Sequence, residues 1–145
     1  MLKDVLKEEF VQLDIEVSDY KEAIETTLQP LLDNHYIEPR YCEAIFRNLE
    51  KLGAYIDLGK NIALPHARAE DGVLKTGISF CRLVKKVDMI DEHHSIQILF
   101  GLAAVDNNSH LEALGQLVQI LNNDAYVEIL KKGSKREIIE LLHQK

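Results

Sequence analysis

The run Ile96–Ala104 (IQILFGLAA) most restricts what this chain can become. It carries a single polar side chain, Gln97, and is far too short to cross a bilayer. A segment this apolar on both faces reads as a central strand of a sheet covered from each side. Gly77–Leu83, with Ile78, Phe80 and Leu83, supplies a second strand. Val11–Val17 alternates Val, Leu, Ile and Val with Gln, Asp and Glu, the period of a half-buried strand.

The covering layers are written at helical spacing around these strands. Ser18 is placed to cap a helix whose apolar positions are Tyr20, Ala23, Ile24, Thr27, Leu28, Leu31 and Leu32. Asn34–Glu38 breaks it. Pro39 opens a second helix with Ala44, Ile45, Leu49 and Leu52 along one face and Gly53 as its stop. Ala54–Leu58 and Ile62–Leu64 read as short extended pieces, and Lys85–His94 as a charged connection between strands. Ser109 with Glu112 has the form of a capping box, and Leu111, Leu114, Leu117, Val118 and Leu121 stripe the helix that follows. Ala125–Lys132 is a short helix stopped by Gly133, and Ser134 with Glu137 caps a last one carrying Ile138, Ile139, Leu141 and Leu142. Residues 1–10 read as a short helix or an edge segment. Strands interleaved with helices give an α/β fold, expected to be one domain over 1–145 built as a three-layer α/β/α sandwich on a mixed sheet.

Composition narrows the function classes. A net charge of −7 over 145 residues argues against a nucleic-acid partner, because phosphate backbones call for clustered Lys and Arg. The residues after Met1 do not read as a signal peptide and no apolar run could span a membrane, so the expected location is cytoplasmic. Cys42 and Cys81 stand apart, without CxxC spacing, as small core residues of a reducing compartment. No HExxH, Walker loop, dinucleotide fingerprint or G-x-S-x-G elbow occurs, so no metal or cofactor is expected.

The chemistry concentrates in Gly59–Val73 (GKNIALPHARAEDGV). Pro65 fixes its own φ and pushes Leu64 toward extended geometry, so His66 leaves a stiff backbone ahead of a loop too polar to bury. Taken alone, His66 is better read as an ordinary partly buried histidine at a strand end. His110 changes the weighing: directly after Ser109 it is expected at the first helical position, beside unsatisfied N–H groups where the helix dipole favours an arriving anion. Arg68, two residues beyond His66 and on the same side of an extended loop, could screen phosphate oxygens or pair with Glu70 or Asp71. His35, His93, His94 and His143 are expected to be structural or solvent-facing.

ALPHARAEDGVLKTGISF followed by AAVDNNSHLEAL resembles the enzyme IIA component of the sugar phosphotransferase system, of the mannitol–fructose type. EPRYCEAIFRNLEKLGAYI, with PHAR and AAVDNN, is most similar to its ascorbate-specific branch. The resemblance implies that His66 takes a phosphoryl group from the phosphocarrier HPr and passes it to a cysteine of enzyme IIB, which supplies a membrane permease (enzyme IIC). It implies that His110 is a hydrogen-bonding helper; Arg68 and Ser109 are the candidates to stabilise the phosphate. Mannitol members carry an arginine shortly before the motif. Arg47 is the nearest candidate here but sits at a different spacing, which leaves Arg68 as a substitute. Two other functions use the same residues: a phosphorylation-state sensor that carries no sugar, and a non-enzymatic binding module.

Overall fold

Strand adjacency explains why residues far apart in sequence meet at one end of this molecule. The computed structural model describes residues 2–143, and the described strands form one five-stranded sheet. These are β1 (Val11–Ile15), β2 (Asp57–Gly59), β3 (Ile62–Ala63), β4 (Gly77–Met89) and β5 (Asp91–Ala103), in the spatial order β1-β4-β5-β3-β2. β1 runs parallel to β4 and β3 parallel to β5, whereas β4–β5 and β2–β3 are antiparallel. The sheet is therefore mixed, as expected.

Period-two alternation sorts the central strands into two cores. Ile78, Phe80, Ile98, Phe100 and Leu102 face α4 (Asn107–Leu121), α5 (Asp124–Lys132), α6 (Lys135–Leu142) and the short α1 (Leu2–Val5). Cys81, Leu83, Leu99 and Ala103 face α2 (Tyr20–Asp33) and α3 (Pro39–Leu52). Phe80 and Phe100 pair edge to face at 5.1 Å across β4 and β5. Helices lie on both faces, so the three-layer arrangement read from the sequence holds. Gly101 lets α2 approach closely: a Cβ there would lie 2.6 Å from Ser79 Oγ and 2.8 Å from Leu28 Cδ2.

Several local expectations give way. Lys85–His94 is no loose connection; β4 and β5 run on through it as a long hairpin turning at Ile90. Val84, Lys85 and Lys86 are exposed in succession before Val87 and Met89 turn back to the core, so this outer half of the hairpin reads as loop in the sequence. Of Ala54–Leu58, only Asp57 and Leu58 are strand. The cap of α2 is Asp19, whose carboxylate accepts the Glu22 N–H at 2.9 Å, while Glu22 reaches back to the Ser18 N–H at 2.6 Å. An ionised cap at a helix N-terminus gains from the dipole, where a serine does not. The Ser134–Glu137 box forms as expected. Leu52 and Leu111, expected on core faces, are 67% and 65% exposed.

Candidate functional site

β3 and β5 are parallel neighbours, so their C-terminal ends reach the same rim of the sheet. His66 leaves just beyond β3 and α4 begins just beyond β5, the placement at which α/β proteins gather functional groups. The Leu64 N–H donates to the Ile56 carbonyl at 2.8 Å, and the Pro65 carbonyl accepts the Leu102 N–H at 3.0 Å. The Tyr41 hydroxyl, on α3, donates to the Leu102 carbonyl at 2.6 Å and accepts the Ala67 N–H at 2.9 Å. Burial pushes the Tyr41 phenol well above its ordinary range, which keeps it a donor.

His66 lies half-buried in this frame. Its Nδ1 is 2.7 Å from the Leu64 carbonyl oxygen, and a carbonyl can only accept, so Nδ1 carries the proton. Nε2 keeps its lone pair and has no hydrogen-bond partner among the described residues. Burial holds the imidazole below its usual pKa; the Leu64 bond opposes this, and the nearby His110 adds to it. The ring is thus neutral near pH 7. The His110 ring stands 5.6 Å away, centroid to centroid and tilted by 55°. The Tyr55 ring packs edge-on against His66 at 5.3 Å.

These groups open onto a cleft of about 420 Å³, with His66, Tyr55 and Asn48 facing His110, Asn107 and Asp106. Arg68 also lines it, the only Lys or Arg to do so among the described residues, and its guanidinium lies 3.6 Å from Glu70, both side chains largely exposed. Arg68 thus borders the cleft while paired with Glu70.

Three expectations about the site change. α4 is capped by Asp106, whose carboxylate accepts the Ser109 N–H at 2.7 Å, so His110 is the fourth helical residue and not the first. Its N–H is already bonded to the Asp106 carbonyl at 3.1 Å. Bonds from the Ser109 N–H and hydroxyl and from the Asn108 N–H hold the Asp106 carboxyl below its usual range, leaving Asn107 as the helix-terminal amide on the cleft. Ser109, with its hydroxyl committed to Asp106, lines a separate small cavity with Thr76 and Gln116. Arg47 is exposed on α3 and does not border the cleft, whereas the next residue, Asn48, does. The sequence reading missed Asn48 and Tyr55. The spacing Asn48–Tyr55 was the available signal, but Gly53 ends α3 between them and breaks the helical register that would have linked them.

The remaining histidines lie elsewhere. His94 Nδ1 sits 2.7 Å from Asp57, a half-buried pairing that raises its pKa. His143 Nε2 meets the Leu6 carbonyl at 2.8 Å, and His35 occupies a left-handed turn at φ 63°. Cys42 and Cys81 are free thiols, pushed up by burial to about 12 and about 11. Among the described residues no cluster of three or more His, Cys, Asp or Glu is placed to hold a metal, and no helix is long and apolar enough to cross a membrane.

A mixed five-stranded α/β sandwich with two facing histidines at the rim where parallel strands end defines the class. Residues 4–145 match the family described as "Phosphoenolpyruvate-dependent sugar phosphotransferase system, EIIA 2". Over 142 residues the chain is 32% identical to the mannitol-specific cryptic phosphotransferase enzyme IIA component of Escherichia coli, covering 97% of each. The solution structure of that relative superposes with a TM-score of 0.89, again covering 97% of each chain. The ascorbate-specific EIIA component of E. coli is also 32% identical, over 97% of this chain and 94% of its own. The enzyme IIA in a complex of E. coli mannitol enzyme IIA with phosphorylated enzyme IIB is 30% identical, with a TM-score of 0.81, covering 95% of this chain and 98% of that one. The chain belongs to the EIIA type-2 family of the sugar phosphotransferase system, whose members function in phosphoryl transfer.

Proposed function

We propose that this protein is one cytoplasmic domain that carries a phosphoryl group on His66 Nε2 between HPr and an enzyme IIB. The observation that supports the reading is the Nδ1 contact to the Leu64 carbonyl, because a proton held on Nδ1 leaves the lone pair on Nε2. In the first step the Nε2 lone pair attacks the phosphorus held by the donor histidine, and the donor's P–N bond breaks with its electron pair returning to that ring. The Nδ1 proton stays, and the Leu64 carbonyl accepts its hydrogen bond more strongly as the ring acquires positive character. In the second step a cysteine thiolate of enzyme IIB attacks phosphorus and the P–Nε2 bond breaks toward His66.

The transition state spreads charge over the equatorial phosphoryl oxygens, so the surroundings act by positioning and electrostatics. His110 donates to one oxygen, and Arg68 leaves Glu70 to screen another. Exposed ion pairs are worth only about 0–1 kcal/mol, so the exchange costs little. Asp106 and Glu70 keep the cleft from becoming a tight anion trap, which suits a group that must leave again. The relative solved with phosphorylated enzyme IIB supports that partner; HPr and the enzyme IIC permease follow from the family role. For cargo we propose L-ascorbate, on the EPRYCEAIFRNLEKLGAYI, PHAR and AAVDNN segments. Overall identity does not separate ascorbate from mannitol, since both relatives stand at 32%.

Incubation with enzyme I, HPr and phosphoenolpyruvate should place one acid-labile phosphate on the protein and none on His66→Ala. Label retained in that variant would overturn the assignment. Discharge to the ascorbate enzyme IIB but not the mannitol one would support the cargo, and the reverse would replace it. Labelling without discharge to any enzyme IIB would point to the sensor.

A further inference from the structure

We propose that Tyr55, steadied by Asn48, is the positioning residue of this site, fixing the His66 backbone with its hydroxyl and walling the imidazole with its ring. The inference rests on His66 being the phosphoryl acceptor and adds the group that keeps it aimed. Tyr55 lies in the turn between α3 and β2, and its hydroxyl donates to the His66 carbonyl at 2.5 Å. The Asn48 side chain also hydrogen-bonds that hydroxyl. An amide N–H donated into the phenol oxygen directs the phenol's own proton away from Asn48 and onto His66. A hydrogen-bond chain thus runs from α3 through Tyr55 to the backbone of the nucleophile, and all three residues line the same cleft.

The alternative is that Tyr55 is only a packing aromatic. Two features oppose this. A packing aromatic has no need of a hydroxyl bonded to the one residue whose orientation decides the chemistry. The ring also stands edge-on to the imidazole, at 66° with 5.3 Å between centroids, so it covers part of the His66 ring. The peptide leaving His66 is then held from both ends, by Tyr55 at its carbonyl and by Tyr41 at the Ala67 N–H, 2.9 Å away. With the backbone fixed, the Nδ1 bond to Leu64 keeps a single ring orientation, and Nε2 points into the cleft. The titratable and charged groups that line the cleft with His66 are Tyr55 from the turn, His110 and Asp106 from α4, and Arg68 and Glu70 from the loop beyond it; of these His110 lowers its pKa, beside the larger effect of burial.

The hydroxyl and the ring can be separated. Tyr55→Phe keeps the wall and removes the anchor; Tyr55→Ala removes both. The nitrogen chemical shifts and titration of His66 are followed by NMR on unphosphorylated protein, and single-turnover acceptance from phospho-HPr is timed beside them. Tyr55→Phe should leave the His66 titration midpoint in place, lower the share of the Nδ1–H tautomer and slow acceptance roughly three- to tenfold, the range of one neutral hydrogen bond. Tyr55→Ala should in addition move the midpoint up toward about 6.5. Asn48→Ala should follow Tyr55→Phe with a smaller effect. Wild-type acceptance and unchanged nitrogen shifts in Tyr55→Phe overturn the proposal, as does an unmoved midpoint in a folded Tyr55→Ala. If Tyr55→Ala does not fold, Tyr55→Phe decides alone. Because the shifts are read without phosphate, they remain meaningful even if wild type fails to label, a result that would refute only the acceptor role.

Discussion

Removing the second imidazole is the most informative perturbation of this site, because two separate consequences can be sized. His110→Ala deletes a hydrogen bond to a phosphoryl oxygen, and bonds to charged groups are worth about 1.5–3 kcal/mol. Loss of that bond in the transition state slows transfer about ten- to a hundredfold. The same substitution relieves the charge effect of His110 on His66, whose pKa then rises toward the ordinary histidine value. At that value, about 6.5, roughly three-quarters of the ring is still neutral at pH 7, so protonation explains at most about a 1.3-fold loss. The two causes are therefore separable by size alone. The assay is quenched-flow transfer from phospho-HPr to the variant and then to enzyme IIB, with labelling stoichiometry measured beside it. The variant should still reach one phosphate per chain while discharging at least tenfold more slowly. Discharge within twofold of wild type would refute the helper role and leave the rings 5.6 Å apart as mere neighbours.

Three further outcomes follow from the geometry. Because burial holds the His66 pKa below its usual value, the acceptance rate should stay flat from pH 8 down past about 6.5 and fall only below it. For stability the sign is the same: the unfolded state binds the proton first, so this residue's contribution is complete above about 6.5 and is lost as pH falls through the folded value; a rate that already declines between pH 8 and 7 contradicts the first statement. Leu111→Asp, at a position 65% exposed beside His110, should change Tm little, since surface substitutions stay within about 0.5 kcal/mol, yet raise the KM for the protein partners severalfold; an unchanged KM would place docking elsewhere. Gly101→Ala drives a Cβ to 2.6 Å from Ser79 Oγ and 2.8 Å from Leu28, an overpacking cost of about 1–3 kcal/mol that should lower Tm by roughly 3–9 °C, and an unshifted melting curve would show that α2 yields.

The layers of this protein were legible in its sequence because burial imposes a period. Ile96–Ala104 had to be covered on two faces, and the stripes through α2 and α3 before it, with Leu117 and Leu121 of α4 after it, were the covers. His66 was legible too, because Pro65 stiffens the backbone locally and needs no partner to do so. Tertiary structure alone decided which residues stand around that imidazole. Asp106 took the cap from Ser109, and with it the register of His110, because a carboxylate outcompetes a hydroxyl at a helix N-terminus. The outer half of the β4–β5 hairpin looked like loop because Val84, Lys85 and Lys86 stand exposed one after another, which hides the alternation that Val87 and Met89 resume. Leu52 and Leu111 obeyed helical spacing yet face outward, Leu52 at the cleft, since periodicity marks an apolar face without saying whether this chain or another molecule will cover it. Asn48 and Tyr55 meet His66 only because Gly53 ends α3, at φ 74°, and the chain turns back toward the rim. Such contacts depend on where elements pack, and a one-dimensional pattern carries no record of that.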